Sequence, residues 1–299
     1  METTYTYFKS GAFPILIASL LWGLGYFLRK LIVRDIHPLI LTFFTALIVS
    51  LTIIIFKHHN PQKIIEIFRN HPWHYIALSI FGTVLGTTFM FVSLRLLDLS
   101  IVALLEKLQP IFILILASVL LREKFKKSLI PYVMLAIISS YFISTKTPFA
   151  LNFSNSELIG IFAIILTAIC WAISSIIGKR LADDKKYTTD ITLMRFGIAS
   201  IILLPVFLFK NQLNLLVIYS FSLMSIVIFS AIICTALAYN LYYSGLKYTK
   251  VSTAGFLELI TPVFSILLGI SFLKESLVIT QIIFIPILLF SVYKIGIQR

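Results

Sequence analysis

Ten stretches of mostly apolar residues, each about twenty residues long, leave this 299-residue chain few folds to choose from. Crossing the hydrocarbon of a bilayer takes about 20 apolar residues in a helix, and each stretch is of that order. They run Phe13–Leu31, Pro38–Phe56, His74–Leu97, Ser100–Leu121 and Leu129–Thr145. The second set is Leu158–Ile177, Thr189–Phe209, Ile218–Tyr243, Ser252–Leu273 and Val278–Ile295. We number them spans 1 to 10. Alternation of period two is absent and the runs are twice as long as barrel strands, so helices are expected. Charged residues make up 12% of the chain and mean hydropathy is +1.01. A soluble domain carries about 25% charge, so lipid is the solvent for most of this surface. The first run lacks a small-residue cleavage site and is read as a span, not a removable leader.

The net charge of +13 is no sign of nucleic acid, because Lys and Arg fall almost entirely between the apolar runs. With the N-terminus in the cytoplasm, the outer segments hold seven: Arg29, Lys30, Arg34, Arg95, Lys146, Lys210 and Lys274. The inner segments hold sixteen, and Lys107 and Arg195 fall inside spans. This bias places both termini on the cytoplasmic side. Between spans 2 and 3, Ile64, Ile65, Ile67 and Phe68 alternate with Lys63, Glu66 and Arg69, which suggests a short amphipathic helix on the cytoplasmic leaflet.

The sequence also repeats itself. A shift of 152 carries Thr83, Leu85 and Leu94 onto Thr235, Leu237 and Leu246. The same shift carries Ser100, Leu105 and Glu106 onto Ser252, Leu257 and Glu258, and Pro110 and Phe112 onto Pro262 and Phe264. At a slightly different offset Trp22 and Lys30 fall on Trp171 and Lys179. Five spans per half is an odd number, so the second half enters the membrane upside down. The expected fold is all-α, ten transmembrane helices as two inverted five-helix repeats, residues 1–147 and 148–299. Such repeats underlie alternating access in secondary transporters. Duplicated helices also occur in channels and membrane enzymes.

Trp22-Gly23 of span 1, the stretch PIFILILASVLLRE from Pro110 to Glu123 and its echo PVFSILLGISFLKE from Pro262 to Glu275 resemble the drug/metabolite transporter superfamily, specifically its EamA-like branch, over essentially the whole chain. The resemblance implies transport of a small metabolite across a bacterial inner membrane. An amino acid or similar zwitterion is the leading expectation and amphipathic cationic drugs the alternative. The family often carries an arginine in spans 2 and 7. Span 7 has Arg195, whereas the matching part of span 2 reads Thr42-Phe43-Phe44, so no symmetric role follows for it.

Glu106, Lys107, Arg195 and Glu258 lie deep in apolar runs. Each costs about 2.5–3.5 kcal/mol at a helix centre on insertion scales, so they face the interior, pair, or stay neutral. Each glutamate sits four residues before a proline, Pro110 or Pro262, on the same helical face. A proline removes the helical partner of that glutamate's carbonyl, so a kink and a polar spot are expected there. Gln109 and Thr261 lie on nearly the same faces. These residues are expected to line a central cavity. The glutamates either bind substrate or take up protons, or they tie neighbouring helices together. Lys107, about 100° from Glu106 around the helix, is assigned to a substrate carboxylate or to Glu258, with snorkelling as the bland alternative. Arg195 reads as a structural pair.

Trp22, Tyr26, Trp171, Tyr239 and Tyr242 are candidate aromatic walls, or simply packing. Gly82 and Gly86 form a small-residue pair for helix contact, answered by Cys234 and Ala238. Glu123 and Glu275 are expected in structural roles at span ends. His58, His59, His71 and His74 read as a solvated loop before a metal site. HExxH, GxSxG, GxGxxG and phosphate-loop patterns are absent from the sequence. The expected partners are a small-molecule substrate, lipid and protons or another coupling ion, with no cofactor, no metal and no enzymatic step. A channel or an intramembrane enzyme is the reading from another class.

Overall fold

The computed structural model describes residues 2–56, 61–120, 127–144, 153–182, 188–209, 221–246, 248, 254 and 257–298. Among them every regular element is helical. The helices are α1 (Glu2–Ile32), α2 (Pro38–Phe56), α3 (Pro61–Asn70), α4 (Pro72–Leu96), α5 (99–120), α6 (Ile130–Ser144), α7 (Asn155–Ala182), α8 (Thr188–Phe209), α9 (221–246), α10 (Ile260–Leu273) and α11 (Ile279–Gln298). Eight described helices are long and apolar enough to cross a membrane. The shorter apolar segments Ile260–Leu273 and Ile279–Ile295 lie where spans 9 and 10 are expected.

Lipid is as apolar as leucine, so helices do not associate through burial of apolar surface. Close packing and hydrogen bonds hold them together. Large apolar side chains therefore face outward: Phe162, Ile201, Phe209, Leu267, Ile283 and Phe290 are all exposed. Small and polar residues sit at the contacts. A Cβ on Gly25 of α1 would stand 2.8 Å from Cys234 Cβ of α9. One on Gly23 would stand 3.1 Å from the Thr261 carbonyl of α10, and Thr261 Oγ1 donates to Ser19 O at 3.0 Å. Most buried Ser and Thr hydroxyls turn back on their own helix, as Thr45 does to Leu41 O at 2.7 Å, which satisfies them without a partner helix.

The packing pairs are α1 with α9 and α10, α7 with α4 and α5, α2 with α8, and α6 with α11. The last pair stacks Phe142 on Phe284, with centroids 4.3 Å apart, and Gln281 Nε2 donates to Ile143 O at 2.8 Å.

The amphipathic segment forms, as α3, but its apolar face is not laid mainly on a leaflet. Ile67 is buried in a cluster with Tyr75, Leu78, Leu181, Ile191 and Met194, with Ile64 and Phe68 against it. The ends of α4, α7 and α8 supply an apolar surface nearer than lipid. Ile65 alone of the four apolar residues points away, half exposed.

Two features were not expected. Residues Ile80–Leu85 of α4 and Ile232–Leu237 of α9 are π-helical, and the two stretches are related by the same 152-residue shift. A π turn widens the helix and frees carbonyls, and each is met by an arginine. Arg195 of α8 donates from Nε to Thr83 Oγ1 at 3.1 Å and from Nη2 to Gly82 O at 2.5 Å. Arg29 of α1 donates from Nη2 to Thr235 Oγ1 and to Ser230 O. Arg195 thus has the structural partners expected for it. Arg29, counted with the outer segments although it falls within span 1, is 5% exposed and lies inside the bundle.

Candidate functional site

One face of α1 carries Trp22, Gly25 and Arg29, spaced i, i+3 and i+7, and turns toward α9. Trp22 meets Tyr239 edge-on, centroids 5.6 Å apart, and Tyr242 at a tilt, 5.2 Å. The Tyr242 hydroxyl donates to Glu258 Oε1 at 2.6 Å, a length at the strong end for a hydroxyl on a carboxylate. Tyr239 continues the aromatic wall toward Phe196, 5.9 Å away, and the Arg195 guanidinium lies over both rings. Tyr26, one turn along from Trp22, is buried and within electrostatic reach of Glu106, Glu258, Arg29 and Tyr239.

The other side is α5. Residues Glu106–Leu108 form a single 3-10 turn between two α-helical stretches. Glu106 and Lys107 are 4% and 9% exposed. Their side chains pair, Lys107 Nζ to Glu106 Oε2, at 3.0 Å. The angular separation expected between them is bridged by the flexible four-carbon stem of the lysine, which folds the ammonium back onto the carboxylate. The turn also corrects a second expectation. The Glu106 carbonyl is not left without a helical partner by Pro110, because the Gln109 N–H donates to it in the i to i+3 pattern. Around Pro262 the chain passes a turn at Leu259 before α10 begins at Ile260. Both prolines thus follow a break in regular helix immediately after the glutamate. Glu258 lies within electrostatic reach of Lys107 and Glu106.

Seven sequence candidates therefore converge from α1, α5, α9 and the lead-in to α10: Trp22, Tyr26, Glu106, Lys107, Tyr239, Tyr242 and Glu258. Three bond elsewhere. Gln109 Nε2 donates to Ser175 Oγ at 3.0 Å, Trp171 Nε1 to Gly82 O at 3.0 Å, and Thr261 is buried against α1. The indole of Trp171 is thus engaged with the π turn of α4, where a Cβ on Gly86 would stand 2.5 Å from its ring. Gly82 is equally tight, with Ser174 Oγ at 2.6 Å and Arg195 Nε at 2.8 Å from a Cβ. The helix contacts assigned to both glycines fall at these positions.

Arg29 escaped the candidate set because it sits three residues from the end of its helix. Its spacing from Trp22 on one face was the signal that could have found it. The His71 and His74 rings lie 5.6 Å apart. His58, His59 and Glu123 are outside the described residues. No group of three His, Cys, Asp or Glu side chains able to hold a metal occurs among the described residues.

The site thus offers an aromatic wall, a carboxylate held by one neutral hydroxyl, and a carboxylate–ammonium pair.

The sequence matches the model of the EamA-like transporter family over residues 9–145 and 158–297. Among curated proteins it is 26% identical over 291 residues to the riboflavin transporter ImpX of Fusobacterium nucleatum, covering 96% of this chain and 97% of that one. It is 25% identical over 282 residues to an uncharacterized transporter of Archaeoglobus fulgidus, covering 93% and 95%. It is 22% identical to the uncharacterized transporter YoaV of Bacillus subtilis, over 90% of each chain. A solved crystal structure shares its fold with a TM-score of 0.62 at 16% identity, over 95% of each chain.

Proposed function

The chain belongs to the EamA-like transporter family, and from that premise we propose that it is a secondary transporter moving a small, flat, polar metabolite through a site between two inverted five-helix halves. What carries the reading is the aromatic wall of Trp22, Tyr239 and Tyr242 with Glu258 hydrogen-bonded at its edge. Indole and phenol faces stack on a planar ring system, and the carboxylate and hydroxyl suit the ring's polar rim. Riboflavin, the cargo named for the relative in Fusobacterium nucleatum, has that chemistry and is the first probe.

Three observations support the repeat, with units 1–147 and 148–299. The family model matches once in each half. The π turns are 152 residues apart. Exchanging the halves turns the α1–α9 contact into α7–α4 and the α1–α10 contact into α7–α5, while α2–α8 and α6–α11 map onto themselves. Ten crossings with both termini in the cytoplasm, in an inner membrane, are the topology this reading adopts, on the Lys and Arg bias. The two halves rock about the site.

An amino-acid cargo fits less well, because Lys107, the group assigned to a substrate carboxylate, is paired with Glu106. A flat organic cation is the second reading, favoured by an aromatic wall beside the Glu258 carboxylate, which accepts from the neutral Tyr242 hydroxyl.

The test is counterflow in proteoliposomes. Vesicles preloaded with unlabelled riboflavin take up labelled riboflavin faster than empty ones, with saturation. A channel gives neither. Uptake of a flat cation in place of riboflavin selects the second reading, and counterflow of neither rejects both.

A further inference from the structure

Apart from the substrate site, a polar cluster ties four helices together at one end of the bundle, where residues 94–100 and 274–278 meet. We propose that Glu275 is a latch: its carboxylate, seated on the first turn of α5, holds this mouth of the transport path shut and releases when the mouth opens. The inference rests on alternating access but not on the identity of the cargo.

Glu275 accepts from the Leu99 N–H at 2.6 Å, the Ser100 N–H at 3.0 Å and the Ser100 hydroxyl at 2.6 Å. The first N–H groups of a helix have no partner within it and carry the positive end of its dipole, so an anion is the natural occupant. The carboxylate comes from the other half of the chain, 175 and 176 residues away in sequence.

The chain after α10 is shaped to deliver it. Lys274 stands at φ 55°, the one positive-φ non-glycine among the described residues. This left-handed turn closes α10, with the Glu275 N–H donating to Gly269 O at 3.1 Å. The carboxylate then folds back over Gly269, where a Cβ would stand 2.6 Å from Glu275 Oε2 and 3.1 Å from Ser100 Oγ. A side chain at that position would occupy the seat of the latch.

The neighbouring loop is clasped from α1. Lys30 Nζ donates to Leu94 O at 2.7 Å and Leu97 O at 2.5 Å, closing the end of α4, and lies within electrostatic reach of Glu275 and Asp98. α1, α4, α5 and the tail of α10 are thus joined at this one end.

The contact is built to release. Glu275 is only half-buried, so water replaces its three donors when it leaves. The Gln281–Ile143 bond has no such substitute, since both residues are buried.

The experiment reads access to position 109, one turn along α5 from Glu106, from each side and needs no substrate. In a background with Cys170→Ala and Cys234→Ala, Gln109→Cys places a thiol on the partly exposed position about 15 Å along α5 from its first turn. A membrane-impermeant maleimide is applied to oriented vesicles from one side, then the other. With Glu275 present, labelling from the latch side is slow. Glu275→Gln weakens an anion's hold on the two N–H groups and raises that rate at least about fivefold, with no rise from the opposite side. Ser100→Ala, which removes only the hydroxyl donor and keeps the fold, raises it about twofold. A helix cap with no gating role lowers thermal stability without this one-sided gain. Rapid labelling from the latch side in the parent, or unchanged rates in both variants, overturns the proposal. If riboflavin is not the cargo, the labelling result stands unaffected.

Discussion

Gly86 and Gly178 show how far one methyl group decides stability in lipid. A Cβ at Gly86 meets the Trp171 ring at 2.5 Å and the Phe81 carbonyl at 2.6 Å, neither able to yield cheaply. A Cβ at Gly178 meets only Leu78 at 3.9 Å. Gly86→Ala is expected to destabilise by about 1–3 kcal/mol, while Gly178→Ala is neutral or stabilises by up to about 1 kcal/mol. Thermal unfolding of the two variants in the same detergent checks the contrast. Trp22→Ala leaves the fold intact, because Trp22 is only partly buried, but removes the aromatic wall. Equilibrium binding of riboflavin is expected to weaken about tenfold, the order of one stacked ring pair. Equal affinity in the variant removes Trp22 from the site. At this scale Glu106, Lys107 and Glu258 were legible because a charge in an apolar run is costly wherever it sits. The Glu106–Lys107 pair was not, since neighbours on a helix point about 100° apart and only the reach of the flexible lysine stem closes the gap.

Among the elements, α4 and α9 are distinguished by their π turns, and no composition rule marks them: Ile80–Leu85 and Ile232–Leu237 read like any apolar helix. The arginines that fill the widened turns are the visible trace. Thr83→Val and Thr235→Val each take a hydroxyl acceptor from a guanidinium with little change of shape. Each is expected to cost about 1–3 kcal/mol, because a charged donor in lipid has no water to turn to. Arg29→Lys is expected to cost as much, since a compact ammonium is more strongly hydrated than a guanidinium and loses that hydration inside the bundle. Melting temperatures measure these, and values equal to the parent's would show the turns self-sufficient. The element α3 was foreseen from its spacing, but its docking on α4, α7 and α8 depends on surfaces no local pattern reveals. Ile67→Asp is expected to free it, so that hydrogen exchange over 61–70 accelerates while α4 to α11 keep their protection.

For the molecule as a whole, the eight long apolar helices were readable because the bilayer demands length and apolarity of every crossing segment. Which helices touch was less readable, because lipid-facing and protein-facing residues are alike apolar and only small residues such as Gly23, Gly25 and Gly86 betray a contact. The seam between α6 and α11 has a bearing on how the molecule can move. Parting it would strand the Gln281 amide and the Ile143 carbonyl in a medium that cannot solvate them, and would unstack two phenyl rings lying nearly parallel, at 10°. In the proposed rocking of the halves, motion that carries one set of helices past the other would therefore pivot along this line, as a page turns at its binding, and the widest displacement would fall to the helices that do not share it.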